Sequence, residues 1–289
     1  MLPGMAGKPR IAIVGAGNLG TALAVSLMRA GYIIDAIVVR KGSKSRDDGK
    51  KLAKQVRAQL LFGLEGSEAD VVWFCVPDAE IARVARSVSA KFQGKGKVAL
   101  HSSGALSSDE LNSLCEKGAV VASVHPLMTF VRGSRPPLTG VSFAIEGDAK
   151  AVRAAREIVN DLGGHAYTIR KKDKAAYHAW GAFTSPLFTA LLATSEQVAG
   201  LAGMKRIEAR VRSMPILLQT LANYASFGAP GAFSGPIVRG DVETVRRHLE
   251  ALRSLAPARD AYAALVGSAL RYLPVKKRSA IKKVLDSSH

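Results

Sequence analysis

Cysteine is nearly absent from this chain: Cys75 and Cys115 are the only two among 289 residues. Neither has metal-site spacing, and two thiols make no disulfide framework, so the setting expected is a reducing cytoplasm with both thiols free. Aromatic residues amount to 6% and do not interleave with the basic ones. Acidic residues are also scarce, 23 against 41 Lys and Arg, which leaves a net charge of +18. The basic residues are scattered from Lys41 to Lys283 instead of forming one stripe, so nucleic acid is not an expected partner. Part of the positive field would help collect an anionic substrate and cofactor. The first ten residues lack the apolar centre of a signal peptide. No G-x-S-x-G elbow occurs, which argues against a serine hydrolase. Carboxylates and cysteines do not accompany His101, His125 and His178 at ligand spacing, so no metal is expected. Charge is missing from residues 175–195, a length that could span a membrane. The stretch nevertheless contains His178, Thr184, Ser185 and Pro186 and has no second span beside it. A buried helix in a soluble protein is the better reading.

What the chain does have is globular composition, 48% hydrophobic and 22% charged, with length for one large or two ordinary domains. Its most specific segment is a short apolar strand at Ile11-Ala12-Ile13-Val14 that runs into Gly15-Ala16-Gly17-Asn18-Leu19-Gly20 and then a helical pattern. A lone G-x-G-x-x-G says little; between a strand and a helix it marks a dinucleotide site. Gly15 permits the tight turn, Gly17 the approach of a pyrophosphate, and Gly20 close helix–strand packing. The helix start offers unpaired N–H groups and a positive dipole end. An NAD site places an acid about 20 residues further on. Here the second strand, residues 33–39, is followed by Arg40 and Ser43. A guanidinium with hydroxyls suits a 2′-phosphate, so NADP is the expected cofactor.

Strands and helices alternate to about residue 170, with strands expected at 59–62, 71–76, 97–100, 120–124, 141–145 and 166–169. Asp78 and Asp148 are placed to cap helices 79–89 and 149–162, and Ser107 with Glu110 reads as a capping box. Alternation of this kind builds a doubly wound, mostly parallel sheet. Helices follow alone: 175–200, 206–227, 242–255 capped by Asp241, and 259–272. The expected domains are a Rossmann dinucleotide-binding domain at 1–171 and a helical substrate and dimerisation domain at 172–289.

The order of strings resembles one bacterial family. Val76-Pro77-Asp78, His101-Ser-Ser-Gly-Ala, His125-Pro-Leu-Met-Thr-Phe, Lys174-x-x-Tyr177-His178 and Gly235-Pro-Ile-Val-Arg239-Gly-Asp241 carry the resemblance, which spans nearly the whole chain. Its members are Rossmann-like proteins with a helical C-terminal domain of unknown function, provisionally labelled NADP oxidoreductases. More distantly the layout is similar to ketopantoate reductase, pyrroline-5-carboxylate reductase and the β-hydroxyacid dehydrogenases. Where the family carries Ser-Asn, this chain has Ser185-Pro186 and lacks the carboxamide. The resemblance also places His178 where the distant relatives have the Asn of a Lys-x-x-x-Asn pair.

These readings converge on an NADP(H)-dependent oxidoreductase that moves a hydride to or from a small, anionic carbonyl or imine compound. Lys174 is the expected proton donor or polarising cation, with His178 as its hydrogen-bonding partner on one helix face that also includes Ser185. His125 joins them as a catalytic candidate. Gly15, Ala16, Gly17, Asn18, Leu19, Gly20, Arg40, Ser43, Val76, Pro77 and His101 form the expected cofactor site. Arg239 and Asp241 are candidates for a substrate carboxylate or a subunit contact. The expected assembly is a cytoplasmic homodimer. The alternative is a non-catalytic protein that senses NADP(H) or a metabolite.

Overall fold

The computed structural model describes residues 7–42 and 45–287. They fall into two compact units, Met1–Ala182 and Phe183–His289.

The first unit is an eight-stranded sheet with helices on both faces. In chain order its elements are β1 (Ile11–Val14), α1 (Asn18–Arg29), β2 (Ile34–Val38), α2 (Ser45–Val56), β3 (Gln59–Leu61), β4 (Val71–Phe74), α3 (Ile81–Ser89) and β5 (Val98–His101). Then come α4 (Asn112–Cys115), β6 (Val120–Pro126), β7 (Ser142–Gly147), α5 (Ala149–Asp161) and β8 (His165–Thr168). The strand order is β3-β2-β1-β4-β5-β6-β7-β8. All neighbours are parallel except β6 and β7. Period-two alternation explains why β1 reads as an unbroken apolar run. Ile11 and Ile13 enter the core under α1, α2 and α5, while Ala12 and Val14 enter the core under α3 and α4. A strand covered on both faces has no polar side to show. Trp73 in β4 is fully buried and keeps its indole N–H satisfied by Ser102 Oγ at 2.8 Å.

Topology positions the site. β1 lies between β2 and β4, so the chain leaves it first to one side and later to the other. At such a reversal the flanking loops diverge and leave a crevice beyond the carboxyl ends of the strands.

Two expected helix caps are used otherwise. Asp78 makes no cap bond at the 3-10 turn Asp78–Glu80 and accepts from the Ser103 hydroxyl at 2.7 Å. Asp148 precedes α5 but accepts from Val121 N at 2.8 Å. In both cases a donor on a neighbouring strand or its loop takes the carboxylate. Ser107 does cap the turn Ser108–Leu111, through Asp109 N at 3.4 Å, without the reciprocal bond from Glu110 that a full box would make.

The expected helix over 175–200 is two helices, α6 (Lys174–Thr184) and α7 (Pro186–Leu201). Proline has no N–H and drives the preceding residue out of the helical region. Ser185 accordingly adopts φ −131° and ψ −78°. The face expected to carry Lys174, His178 and Ser185 therefore ends with α6 at Thr184, before Ser185. No helix among the described residues is long and apolar enough to cross a membrane.

The second unit contains α7, α8 (Arg206–Ala232), α9 (Pro236–Arg239), α10 (Val242–Ala251), α11 (Ala256–Tyr272) and α12 (Arg278–Asp286). Val245, Leu249, Val266 and Ile281 form the centre of its core. α8 is interrupted at Gly228, whose φ of 66° ends the regular run where the glycine predicted it.

Candidate active site

Two places at the carboxyl ends of the strands in the first unit could do chemistry. The first is a cavity of about 280 Å³ at the reversal between β2, β1 and β4. Gly15, Ala16 and Gly17 form one wall, Val39 and Arg40 a second, and Val76, Pro77, Glu80 and Arg83 a third. The three fingerprint glycines serve different needs. Gly15 has φ 106°, and a Cβ there would lie 2.5 Å from the Cys75 carbonyl oxygen. A Cβ on Gly20 would lie 2.1 Å from the Gly15 carbonyl oxygen, so α1 approaches β1 only with glycine there. A Cβ on Gly17 would meet nothing within 4 Å. Gly17 thus keeps space open above the start of α1 instead of relieving a protein contact. These residues fit a dinucleotide: a bare backbone turn, free helix N–H groups and a cavity of the right place in the topology.

Two other fingerprint residues act within the protein. Leu19 packs against the core. The Asn18 side-chain amide donates to the Phe130 carbonyl at 3.1 Å and ties the 127–140 loop to the start of α1. Arg40 reaches the cavity and forms an ion pair with Glu80 at 3.6 Å. Ser43 lies outside the described residues. Glu80 and Arg83 are cavity residues that sequence reasoning missed. Both sit in a polar stretch that reads as the surface of a helix start, and only the fold places that surface along the cavity wall.

The second place gathers β5, β6 and the first turns of α6. Lys174 is fully buried, and its ammonium donates to the Ser103 carbonyl at 3.0 Å and to Ser123 Oγ at 2.7 Å. Ser123 Oγ in turn donates to the same Ser103 carbonyl at 3.1 Å. Burial lowers the Lys174 pKa to about 8, against the opposing influence of Glu146 and Asp78. His125 Nδ1 is 2.8 Å from the Tyr177 hydroxyl. The rings of His125 and His178 meet edge-on with centroids 5.9 Å apart. Burial lowers His125 to about 4, helped by the neighbouring Lys174 ammonium. Burial, with Tyr167 alongside, raises Tyr177 well above the usual phenol range. At neutral pH His125 is therefore neutral and Tyr177 keeps its proton.

Gly104 separates the two histidines. A Cβ on it would stand 2.6 Å from His178 Cδ2 and 2.9 Å from His125 Nε2. The turn that presents Gly104 is itself fixed: Ser103 Oγ accepts from Ala105 N and Leu106 N while donating to Asp78.

The structure brings together Lys174, His178 and His125, but not as expected in detail. Lys174 bonds to Ser103 and Ser123, whereas His178 packs against His125. His101 does not reach the crevice. It is fully buried, with Nε2 2.9 Å from the Ser107 carbonyl and Nδ1 accepting from Ser103 N at 3.1 Å. Both ring nitrogens are used in shaping the 102–107 turn, and burial lowers its pKa to about 4. Asp241 caps α10 by accepting from Thr244 N at 3.1 Å and Thr244 Oγ1 at 2.7 Å. Sequence reasoning assigned no individual role to Ser103, Gly104, Ser123 or Tyr177. Ser103 and Gly104 lie in the 101–104 stretch, and Tyr177 lies three residues after Lys174, in strings shared with the family; Ser123 carried no signal. No group of His, Cys, Asp and Glu among the described residues could hold a metal ion.

Comparison with known proteins agrees with this architecture. Residues 5–126 match the model of the Rossmann-like domain, and residues 141–269 match the domain of unknown function DUF2520. No curated protein matches the chain. Among solved structures, a Bacteroides fragilis protein provisionally named an NADP oxidoreductase is 20% identical, with TM-score 0.73 over 90% of this chain and 97% of that one. An imine reductase from Pseudomonas sp. is 19% identical, with TM-score 0.63 over 96% of this chain and 100% of that one. A reductive aminase from Aspergillus terreus, solved with NADPH and ethyl-5-oxohexanoate, is 17% identical, with TM-score 0.65 over 98% and 100%. At these identities the likeness is one of fold.

Proposed function

For this chain, a Rossmann-like domain followed by a DUF2520 domain, we propose the activity of an NADP(H)-dependent oxidoreductase acting on a small, anionic carbonyl or imine compound. The observation that carries the reading is Gly17, bare and open at the mouth of a cavity where the sheet reverses, with Gly15 and Gly20 packed tight behind it. Gly15, Gly17 and the start of α1 would hold the pyrophosphate, Val76 and Pro77 would flank the nucleoside, and Arg40 would face the 2′-phosphate. Nicotinamide, when bound, supplies or takes the hydride.

The chain's own residues handle the proton. Lys174, at a pKa of about 8, is mostly cationic at neutral pH yet able to release a proton. Two of its three donors are taken by Ser103 and Ser123, and the third would serve a substrate oxygen or nitrogen that displaces the groups now covering it. The Tyr177 hydroxyl and His125 Nδ1 share a hydrogen bond at 2.8 Å, which orients the neutral ring with Nε2 beside Gly104. His125 Nε2 and the exposed edge of His178 would meet a polar group of the substrate there. The NADP oxidoreductases, imine reductases and reductive aminases of the same fold are consistent with this chemistry.

The division into a cofactor domain at 1–171 and a helical domain at 172–289 belongs to the same reading, as does a cytoplasmic homodimer. α8 supports the dimer. Ile207, Val211, Ile216 and Phe227 are each at least 66% exposed, large apolar side chains on more than one side of α8 that a single copy leaves in water.

Thermal melting with NADPH, NADH and buffer alone tests the cofactor. A ligand that binds only the folded chain raises Tm in step with its affinity, so NADPH should raise it most. Substrate-dependent oxidation of NADPH across keto acids and cyclic imines tests the reaction. Cofactor binding with no turnover on any of them would favour the sensing alternative.

A further inference from the structure

Among the described residues lining the cavity at the sheet reversal, Glu80 is the one acid, and Arg40 and Arg83 are the cations. Glu80 pairs with both. It is hydrogen-bonded to Arg83 on α3, and its carboxylate lies 3.6 Å from Arg40 beyond β2. The three side chains therefore join the cavity wall after β2 to the wall after β4. Their partly exposed positions keep the pairs exchangeable, because an ion pair in contact with water is weakly held. The two guanidiniums hold the Glu80 carboxyl below its ordinary range, Arg83 more than Arg40.

We infer that Glu80 is an internal counter-ion standing in for a 2′-phosphate, and that Arg83 is a second guanidinium for that phosphate. The inference rests on the NADP(H) reading above and names residues that would set its affinity and selectivity. A phosphate carries more charge than a carboxylate and offers three acceptor oxygens, so it can displace Glu80 from two arginines at once. Displacement costs the Glu80 contacts, so Glu80 weakens NADPH binding in exchange for keeping two like charges together when no phosphate is there. NADH has a hydroxyl at the same place and does not compete for the arginines.

The opposite role is physically open to a carboxylate in this cavity: Glu80 accepting from the ribose hydroxyls, as an NAD site requires. The two roles predict opposite signs, and dissociation constants decide between them. NADPH, NADH and 2′-AMP are titrated at low salt into the full-length wild-type, Glu80→Gln and Arg83→Ala proteins. Glu80→Gln should tighten NADPH and 2′-AMP about three- to tenfold and leave NADH within about twofold. Arg83→Ala should weaken NADPH and 2′-AMP about tenfold, again sparing NADH. Loss of NADH affinity in Glu80→Gln, or unchanged NADPH affinity in both variants, overturns the inference while leaving the cofactor reading intact. A wild-type chain that binds NADPH no better than NADH overturns the cofactor reading and this inference together. Both substitutions are at solvent-facing positions, and an unchanged Tm without ligand confirms that each variant is folded.

Discussion

Lys174 Nζ sits 2.7 Å from Ser123 Oγ across 51 residues of sequence. The contact fixes a buried ammonium against the middle of β6, two residues before His125. Burial of this charge costs stability that its two hydrogen bonds only partly offset. A group kept at such expense beside two histidines is a candidate for function.

Lys174→Met should lower turnover by about 100-fold or more, the scale of a lost general acid, while leaving NADPH affinity nearly unchanged. If Lys174 delivers the proton during reduction, kcat/KM stays level below pH 8 and declines above it, as the ammonium titrates near its pKa of about 8. Steady-state kinetics from pH 6 to about 10 check both statements. Wild-type turnover in the methionine variant removes Lys174 from the mechanism.

Gly104→Ala should damage the histidine pair without touching the cofactor cavity. The new methyl would stand 2.6 Å from His178 Cδ2 and 2.9 Å from His125 Nε2, so both rings must move. Overpacking of this kind costs about 1–3 kcal/mol. Denaturant unfolding measures that loss. Kinetics should show kcat reduced and the NADPH dissociation constant preserved.

Stability should fall as acid is added between about pH 6.5 and 4. His101 and His125 are both lowered to about 4 by burial, so over this interval the unfolded chain binds protons that the folded chain refuses. Unfolding free energy therefore rises with pH here, by on the order of a few kcal/mol for the two groups together. Lys174 acts with the same sign at higher pH, adding stability between about 8 and its ordinary value of 10.5. Urea unfolding at pH 7, 5.5 and about 4 tests the acid limb, which should shrink in His101→Asn.

Arg40→Asp should move preference from NADPH toward NADH. The change removes a cation from the cavity mouth and supplies the acid that an NAD site uses to accept from the ribose 2′-OH. A combined swing of about 100-fold in the ratio of the two dissociation constants is the expected size. An unaltered ratio would show that the end of β2 does not read the phosphate.

Much of the fold was legible because its signals are local. β1 and β4 are apolar on both faces, and a parallel sheet covered on both sides demands that pattern. The assignments that failed were those in which a local partner competed with a distant one. Asp78 and Asp148 have the chemistry of caps, but Ser103 and Val121 reach them first. Pro186 was readable as a helix breaker, yet the uncharged run around it suggested continuity, and the proline prevailed. His101 shows the same limit: its place at a strand end is sequence information, but the direction of its ring is not.

The sequence by itself determined that a strand, a glycine turn and a helix would meet where a phosphate could lie, because glycine's freedom and the free N–H groups of a helix start depend on nearest neighbours. It also determined that Arg40 and Lys41, not an acid, stand just after β2. Only the tertiary structure decided that Glu80 supplies one from beyond β4, that Arg83 faces it, and that Lys174 is buried against Ser123 with His125 and His178 nearby. Those facts depend on which elements pack side by side, and side-chain distance across a sheet is set by the order of its strands.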